Sequence, residues 1–89
     1  MIGIYISTKN MTTAMHDEGR RRLEEAGVDE SAMKIHAVFG EDGSLGVFDI
    51  WESQEAWDAF LVHLVPVLQD IGIELNAPPD VMPIVALQP

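Results

Sequence analysis

Two side chains near the middle of the chain could do acid–base chemistry together: His36 and Asp49. A turn signal, Asp42-Gly43, separates the two apolar segments that contain them, which predicts a β-hairpin. If these are the two turn residues, His36 lies directly opposite Asp49, with Cβ atoms ~4.5–5.5 Å apart. The carboxylate would then fix the tautomer of the imidazole and leave its other nitrogen free to exchange a proton. The same count places Lys34 opposite Trp51.

Aromatic and histidine side chains near this pair could form the wall of a binding cleft. Trp51 lies two residues beyond Asp49 on the same strand face. Tyr5 lies on the first predicted strand, and Phe60 and His63 lie on the second predicted helix. A wall of this kind is typical of sites for small hydrophobic or aromatic molecules. The sequence therefore predicts Tyr5, Trp51, Phe60 and His63 as candidate ligand-binding residues beside the pair.

Each of these residues also has a purely structural interpretation. His36 and Asp49 could simply satisfy each other in a mostly apolar sheet, because buried polar groups need partners. Tyr5 could pack its ring on the sheet with its hydroxyl at the rim. His63 could make a local hydrogen bond on its helix. His16, in the first helix, is expected at the surface.

Composition argues against several other classes of function. No metal site is predicted, because the three histidines lack His-x-x-x-His or Glu-x-x-His spacing and the chain has no cysteine. No cofactor is predicted. The formal net charge of −10 disfavours nucleic acid and anionic membranes as partners. No apolar run approaches the roughly 18 residues of a membrane span, and a cysteine-free chain suits the expected location, the cytoplasm.

The spacing of apolar residues predicts the element order βαββαβ. Strands are predicted at residues 2–7, 33–40, 45–51 and 81–87. Helices are predicted from Asn10 or Thr12 to about Ala26 and from Ser53 to about Ile71. Pro66 predicts a kink or a restart in the second helix, because it has no backbone N–H. Pro83 predicts an edge position or a bulge for the last strand.

This order predicts one α+β domain over residues 1–89 with a ferredoxin-like fold. Its four-stranded antiparallel sheet carries both helices on one face, with the first and third strands in the centre. Both sheet faces are apolar, since Phe48 and Ile50 alternate with Val47 and Trp51 along the third strand. The face without helices therefore needs a cover. We expect that cover to be the same face of a second copy, in a two-fold dimer.

In these features the chain resembles the dimeric α+β barrel superfamily, and in particular its small antibiotic-biosynthesis-monooxygenase-like members. The resemblance rests on Asn10-Met11-Thr12 after the first strand, on the hairpin, and on Asp49-Ile50-Trp51-Glu52-Ser53-Gln54-Glu55-Ala56 with Phe60 beyond. It implies two ferredoxin-like sheets paired face to face as a dimeric α/β barrel. It also implies a small hydrophobic ligand held between sheet and helices.

Two functional hypotheses stay open from the sequence. In the first, the protein is a homodimerising module that binds a small hydrophobic molecule. In the second, it is a cofactor-free enzyme, monooxygenase-like or isomerase-like, that acts on a hydrophobic or aromatic molecule. In that case His36 would be the acid or base and Asp49 would orient it.

Overall fold

The computed structural model describes residues 1–88, with strands and helices in the predicted order βαββαβ. Their bounds are β1 Ile2–Ser7, α1 Thr13–Glu25, β2 Met33–Phe39, β3 Gly46–Trp51, α2 Gln54–Ile71 and β4 Asp80–Pro83. The strands form one antiparallel sheet in the order β2-β3-β1-β4, so β1 and β3 are central. The predicted ferredoxin-like fold is confirmed.

Both helices begin at hydroxyl side chains that the sequence predicts as caps. Thr12 Oγ1 and Ser53 Oγ each accept a hydrogen bond, at 3.1 Å, from the backbone N–H three residues further on. Thr12, rather than Asn10, is therefore the cap of α1. α2 ends at Gly72, whose φ of +90° is the left-handed conformation that glycine adopts without strain.

α2 is one continuous helix through Pro66, so the predicted restart does not occur. Proline donates no hydrogen bond to the carbonyl of Val62, four residues earlier. Val62 lies on the solvent side of the helix and is 70% exposed, so water can satisfy that carbonyl. Neither helix in the part of the chain that the structure describes is long and apolar enough to cross a membrane.

The hairpin has the predicted register at its centre and departs from it at one end. His36 pairs with Asp49, as the count from the turn predicts. Between Met33 and Ile35 the register shifts, and Met33 instead of Lys34 pairs with Trp51. A bulge adds one residue to one strand, and counting from the turn cannot detect it.

The last strand is shorter than predicted, because it ends at Pro83 and does not continue to residue 87. It pairs with β1 from Asp80 to Pro83 and forms the sheet edge, the position that Pro83 predicts. Beyond the strand, the N–H of Ile84 donates to the carbonyl of Met1 at 3.0 Å.

The core lies between the sheet and the helices and has an aromatic centre. Trp51, Trp57 and Ile4 are its largest fully buried side chains. The ring centroids of Trp51 and Phe60 are 4.7 Å apart, and those of Trp51 and Trp57 are 5.9 Å apart. Aromatic pairs of this kind contribute about 0.5–1.5 kcal/mol beyond their buried area, so they hold α2 on the sheet.

The sheet face away from the helices, here called the open face, carries an apolar layer. By register it consists of Gly3, Tyr5, Ser7, Ile35, Ala37, Phe39, Gly46, Phe48, Ile50, Asp80 and Met82. The rings of Tyr5 and Phe39 stack with centroids 6.1 Å apart. The Phe39 ring also covers Gly46, where an added Cβ would lie 2.9 Å from Phe39 Cζ. Asp80, at the edge, is the one charged residue of this face.

Candidate functional site

An apolar cavity lies between α1, α2 and the helix-facing side of the sheet. Its cavity volume is about 70 Å³, and it lies within about 610 Å³ of non-atom space that includes open solvent. Every layer contributes apolar wall residues, among them Met15, Leu23, Val47, Phe60 and Leu64. Polar side chains reach the cavity from Thr8, His16, Arg20, His36 and Asp49.

Asp49 is the buried carboxylate of this cavity, 4% exposed on the central strand β3. Its Oδ1 lies 2.7 Å from Nδ1 of His36, and its Oδ2 accepts a hydrogen bond from Nε1 of Trp51 at 3.3 Å. A carboxylate only accepts, so Nδ1 of His36 carries the hydrogen. The predicted contact between His36 and Asp49 is confirmed, and each carboxylate oxygen has a partner.

The second nitrogen of His36 is not free, because His16 occupies it. The Nε2 atoms of His16 and His36 are 2.9 Å apart, and their ring planes differ by 13°. The ring centroids are 5.2 Å apart, while the two Nε2 atoms are 2.9 Å apart. The difference is close to twice the distance from the centre of an imidazole ring to one of its nitrogens, so the two centroids and the two Nε2 atoms lie nearly on one line. The rings therefore meet edge to edge in nearly one plane, joined by an N–H···N hydrogen bond. The expectations of a surface His16 and of a free His36 nitrogen are both wrong.

His16 links this pair to solvent. Its Nδ1 lies 3.3 Å from Oδ1 of Asp17, whose side chain is 72% exposed. Polar groups thus form a row that runs from the surface inward: Asp17, His16, His36 and Asp49. Among residues 1–88, no three His, Asp or Glu side chains converge in a way that could hold a metal ion. The short in-plane contact between the two imidazoles also leaves no room for an ion between their Nε2 atoms.

The arginines of α1 pair with nearby carboxylates. Arg20 borders the cavity, and its guanidinium binds Glu30. Arg21 and Arg22 both bind Glu18, and these hydrogen bonds, that of Arg21 first, lower the pKa of Glu18 to about 2. The positive charge of α1 is therefore largely compensated, and the histidine pair is the remaining basic group on the cavity wall.

A network of hydrogen bonds surrounds Thr8, which borders the cavity one residue beyond the end of β1. Thr8 is 4% exposed; its hydroxyl donates to the carbonyl of Leu45 at 2.6 Å and accepts from the N–H of Met11 at 3.2 Å. The carbonyl of Met11 accepts from the N–H groups of Gly43 and Leu45, each at 3.1 Å. The side-chain amide of Asn76 donates to the carbonyl of Thr8 at 3.1 Å. We call these five residues the Thr8 cluster.

The structure separates the residues that the sequence predicts as one cleft wall. Phe60 does line the cavity with His36. Tyr5 lies on the open face, across the sheet, because odd-numbered residues of β1 point away from the helices. Trp51 is on the helix side but is 1% exposed in the core, where its N–H binds Asp49. The prediction that Tyr5 and Trp51 wall one cleft with His36 is therefore wrong.

A second hollow contains two of the predicted residues. It has a volume of about 140 Å³ and lies between α2 and the segment 28–32, and both Trp51 and His63 border it. His63 itself is exposed on the helix. Phe60 borders both spaces and separates them. His63 and Trp51 are thus not brought to the histidine pair.

An antiparallel four-stranded sheet, two helices on one face and an apolar cavity between them define a ferredoxin-like α+β protein. The fold is that of solved structures described as a cofactor-independent oxygenase and as an antibiotic biosynthesis monooxygenase, so the predicted resemblance is confirmed at the level of the fold.

Three solved structures illustrate this likeness. A variant of SnoaB, a cofactor-independent oxygenase from Streptomyces nogalater, has a TM-score of 0.69 at 12% identity, over 99% of this chain and 96% of that one. An antibiotic biosynthesis monooxygenase has a TM-score of 0.63 at 17% identity, over 99% and 100%. Rv0793 from Mycobacterium tuberculosis has a TM-score of 0.58 at 14% identity, over 100% and 98%. Comparisons with protein-family models and with curated proteins gave no match. At these identities the likeness establishes the fold.

Proposed function

We propose that this protein binds a small, mainly apolar molecule in the cavity between its helices and its sheet. The observation that carries the proposal is the cavity itself, which has apolar walls and one row of polar groups that ends at Asp49. A hydrophobic molecule that enters such a space leaves water, which is favourable, while a few polar groups fix its orientation. The cytoplasmic location expected from the sequence stays a prediction.

The cavity wall also suits ligands of varied shape. Met11, Met15 and Met33 all border it. Methionine side chains are unbranched and polarisable, so they adapt to irregular surfaces more readily than branched ones. We therefore expect weak binding of several one- or two-ring compounds and tighter binding of the true ligand.

The same methionines provide the test. The chain has five methionines; Met11, Met15 and Met33 border the cavity, whereas Met1 and Met82 are 56% and 49% exposed elsewhere. Protein labelled with ¹³C at the methionine methyl groups is titrated with toluene, indole and 2-tetralone. We expect saturable shifts of the three cavity methyls and none of the other two. Uniform shifts, or none at the solubility limit of every probe, would contradict the proposal.

A pair of variants locates the binding. Gly19 borders the cavity, and a Cβ at this position would make ordinary contacts with Ile71 and Val67. Gly19→Leu should fill part of the space and weaken binding. Ala59→Leu is the matched control, because Ala59 borders the second hollow instead. Equal effects of the two variants would place the bound probe outside the cavity.

We also propose that two copies pair through the open face. Tyr5, Ile35, Phe39 and Met82 are each between 36% and 49% exposed there. A protein with a net charge of −10 repels its own copies, yet this face carries a single carboxylate at its edge. An apolar face with little charge suits self-association, because interface cores are depleted of charged residues.

The oligomeric state is measured by light scattering in dilute buffer. We expect twice the chain mass of 9.8 kDa for the wild type. Phe39→Asp should give the monomer mass, because pairing would bury an unpaired carboxylate in the apolar layer. Val62→Asp, on the outer side of α2, should leave the dimer intact. A monomeric wild type would refute the pairing without touching the cavity proposal.

A second candidate function is catalysis on the bound molecule by a cofactor-free oxygenase or isomerase. It is favoured by the acid–base row at the cavity and supported by the fold shared with SnoaB. Such chemistry begins when a base removes a proton from the bound molecule. Deuterium exchange of the α-protons of 2-tetralone, followed by NMR, detects this step. We expect the wild-type protein to speed this exchange above its rate in buffer. His36→Phe should abolish the acceleration and His63→Phe should preserve it. Equal rates in the two variants would reject catalysis at His36.

A further inference from the structure

All four ring nitrogens of His16 and His36 have partners, and these partners fix the number of protons. Nδ1 of His16 faces the carboxylate of Asp17, and Nδ1 of His36 faces that of Asp49. Carboxylates only accept, so both Nδ1 atoms are satisfied as N–H donors. The Nε2–Nε2 contact of 2.9 Å holds one further hydrogen, since two would collide and none would repel. Three hydrogens on four nitrogens give the pair one positive charge.

That charge has two arrangements. In the outer arrangement His16 is the cation, beside the exposed Asp17, and its Nε2–H donates to His36. In the inner arrangement His36 is the cation, beside the buried Asp49, and its Nε2–H donates to His16. One proton moving along one hydrogen bond converts the first into the second. No side chain has to rotate, because the rings already lie edge to edge.

We propose that His16 and His36 form a proton relay between solvent at Asp17 and the inner end of the row at Asp49, which makes His16 a functional residue. This rests on the proposed function, in which the cavity is the binding site. Inward transfer starts from a pair that has released the Nδ1 proton of His16 to solvent and is neutral: a proton from solvent binds Nδ1 of His16, the Nε2–H bond of His16 breaks, and an Nε2–H bond of His36 forms. The net result is one proton taken from solvent and one positive charge beside Asp49. Outward transfer is the reverse.

The row has an exposed end and a buried end. The side chain is 72% exposed at Asp17 and 6% exposed at Asp49, and the two histidines between them are 20% and 24% exposed. The nearest cation on α1, Arg20, is bound to Glu30 and so opposes the imidazolium charge little. The other oxygen of Asp49 is held by the indole N–H of Trp51. A charge that reaches His36 therefore has a fixed partner inside the protein.

The shared proton is tested first without any ligand. In protein labelled with ¹⁵N-histidine, we expect a scalar coupling between the Nε2 nuclei of His16 and His36 across the hydrogen bond. Asp17→Asn should weaken the outer arrangement, so Nε2 of His16 shifts towards an unprotonated nitrogen and Nε2 of His36 towards a protonated one. His63 is the internal control and should not shift.

These spectra separate a relay from a structural bond between α1 and β2. A structural bond alone predicts no opposite change at the two Nε2 nuclei in Asp17→Asn. If the two nuclei do not shift in opposite directions in Asp17→Asn, the relay is overturned, with or without a resolved coupling. Opposite shifts without a resolved coupling still support it, because only a proton exchanged between the two rings produces them.

The functional test uses 2-tetralone and the variant His16→Gln, with His63→Gln as the matched control. We expect His16→Gln to keep the methionine methyl shifts but to slow deuterium exchange of the probe by at least about tenfold, since acid–base groups contribute ~10²–10⁴-fold. If His16→Gln binds and exchanges as the wild type does, the relay is overturned and the binding function stands. If wild-type protein binds no probe, the binding function fails while the ¹⁵N result still decides the shared proton.

Discussion

Loss of the Asp49 carboxylate should destabilise the fold through the donors it leaves behind. In Asp49→Ala the indole N–H of Trp51, which is 1% exposed, loses its partner and has no water to replace it. An unsatisfied buried donor costs about 1–3 kcal/mol. His36 is 24% exposed at its side chain and can turn to water, so its lost hydrogen bond costs about 1 kcal/mol. Together we expect these two losses to destabilise the fold by about 2–4 kcal/mol.

Two further variants calibrate this figure. Asp49→Asn keeps one acceptor oxygen, so it satisfies one donor and presents an NH₂ group to the other. We expect it to destabilise the fold by about 1–2 kcal/mol. Asp58→Ala is the control, because Asp58 is exposed and accepts only from the side chain of Gln54. Its effect should stay below about 0.5 kcal/mol.

Thermal unfolding followed by far-UV circular dichroism measures the three variants. For a domain of this size each kcal/mol lowers Tm by roughly 4–8 °C, so Asp49→Ala should melt roughly 10–30 °C below the wild type. Protein concentration is held constant, because pairing of two copies would couple stability to concentration. Two results would contradict this role of Asp49: Asp49→Ala having the same Tm as Asp58→Ala, or Asp49→Asn having a lower Tm than Asp49→Ala.

Two glycines and one glutamate give further predictions. Gly19→Ala, in α1 with room for the new methyl group, should stabilise the protein by about 0.5–1 kcal/mol in thermal melts. Gly46→Ala should destabilise it by about 1–3 kcal/mol, because the Phe39 ring must move. A change of stability in the same direction for both variants would contradict the packing described. The pKa of Glu18 is lowered from 4.5 to about 2, so its ion pairs stabilise fully above pH 4.5 and are lost as the pH falls through 2. At low salt, Glu18→Gln should therefore lose less stability than the wild type as the pH falls from 4.5 to 2. If thermal melts in acid give both proteins the same dependence of stability on pH, these surface ion pairs contribute nothing.

The hairpin register could be predicted because it follows from a local rule. Once the turn at Asp42-Gly43 is identified, every pair has the same sum of residue numbers, and His36–Asp49 follows without knowledge of the rest of the fold. The rule fails where the strand itself changes, at the bulge after Met33. Bulges depend on how the edge strand packs against neighbouring elements, and no residue type in this segment predicts one.

The role of His16 was missed because it depends on how a helix lies across a sheet. Considered with Met15, His16 falls off the apolar stripe of α1 and looks exposed. Considered with Arg20 and Leu23, it shares a face at i, i+4 and i+7, and that spacing was the available signal. Which of the two faces meets β2 is decided by packing of α1 against α2. The separation of Trp51 from the cavity has the same origin, since Phe60 of α2 lies between them.

The Thr8 cluster has a consequence for how the cavity opens. Its hydrogen bonds join the end of β1, the segment before α1, the hairpin loop and the loop after α2, so breaking any one of them strains the others. The amides of Met11, Gly43 and Leu45 should therefore exchange with deuterated solvent together, as one slow cooperative unit. The exchange rate of these amides therefore measures how often this end of the cavity wall opens.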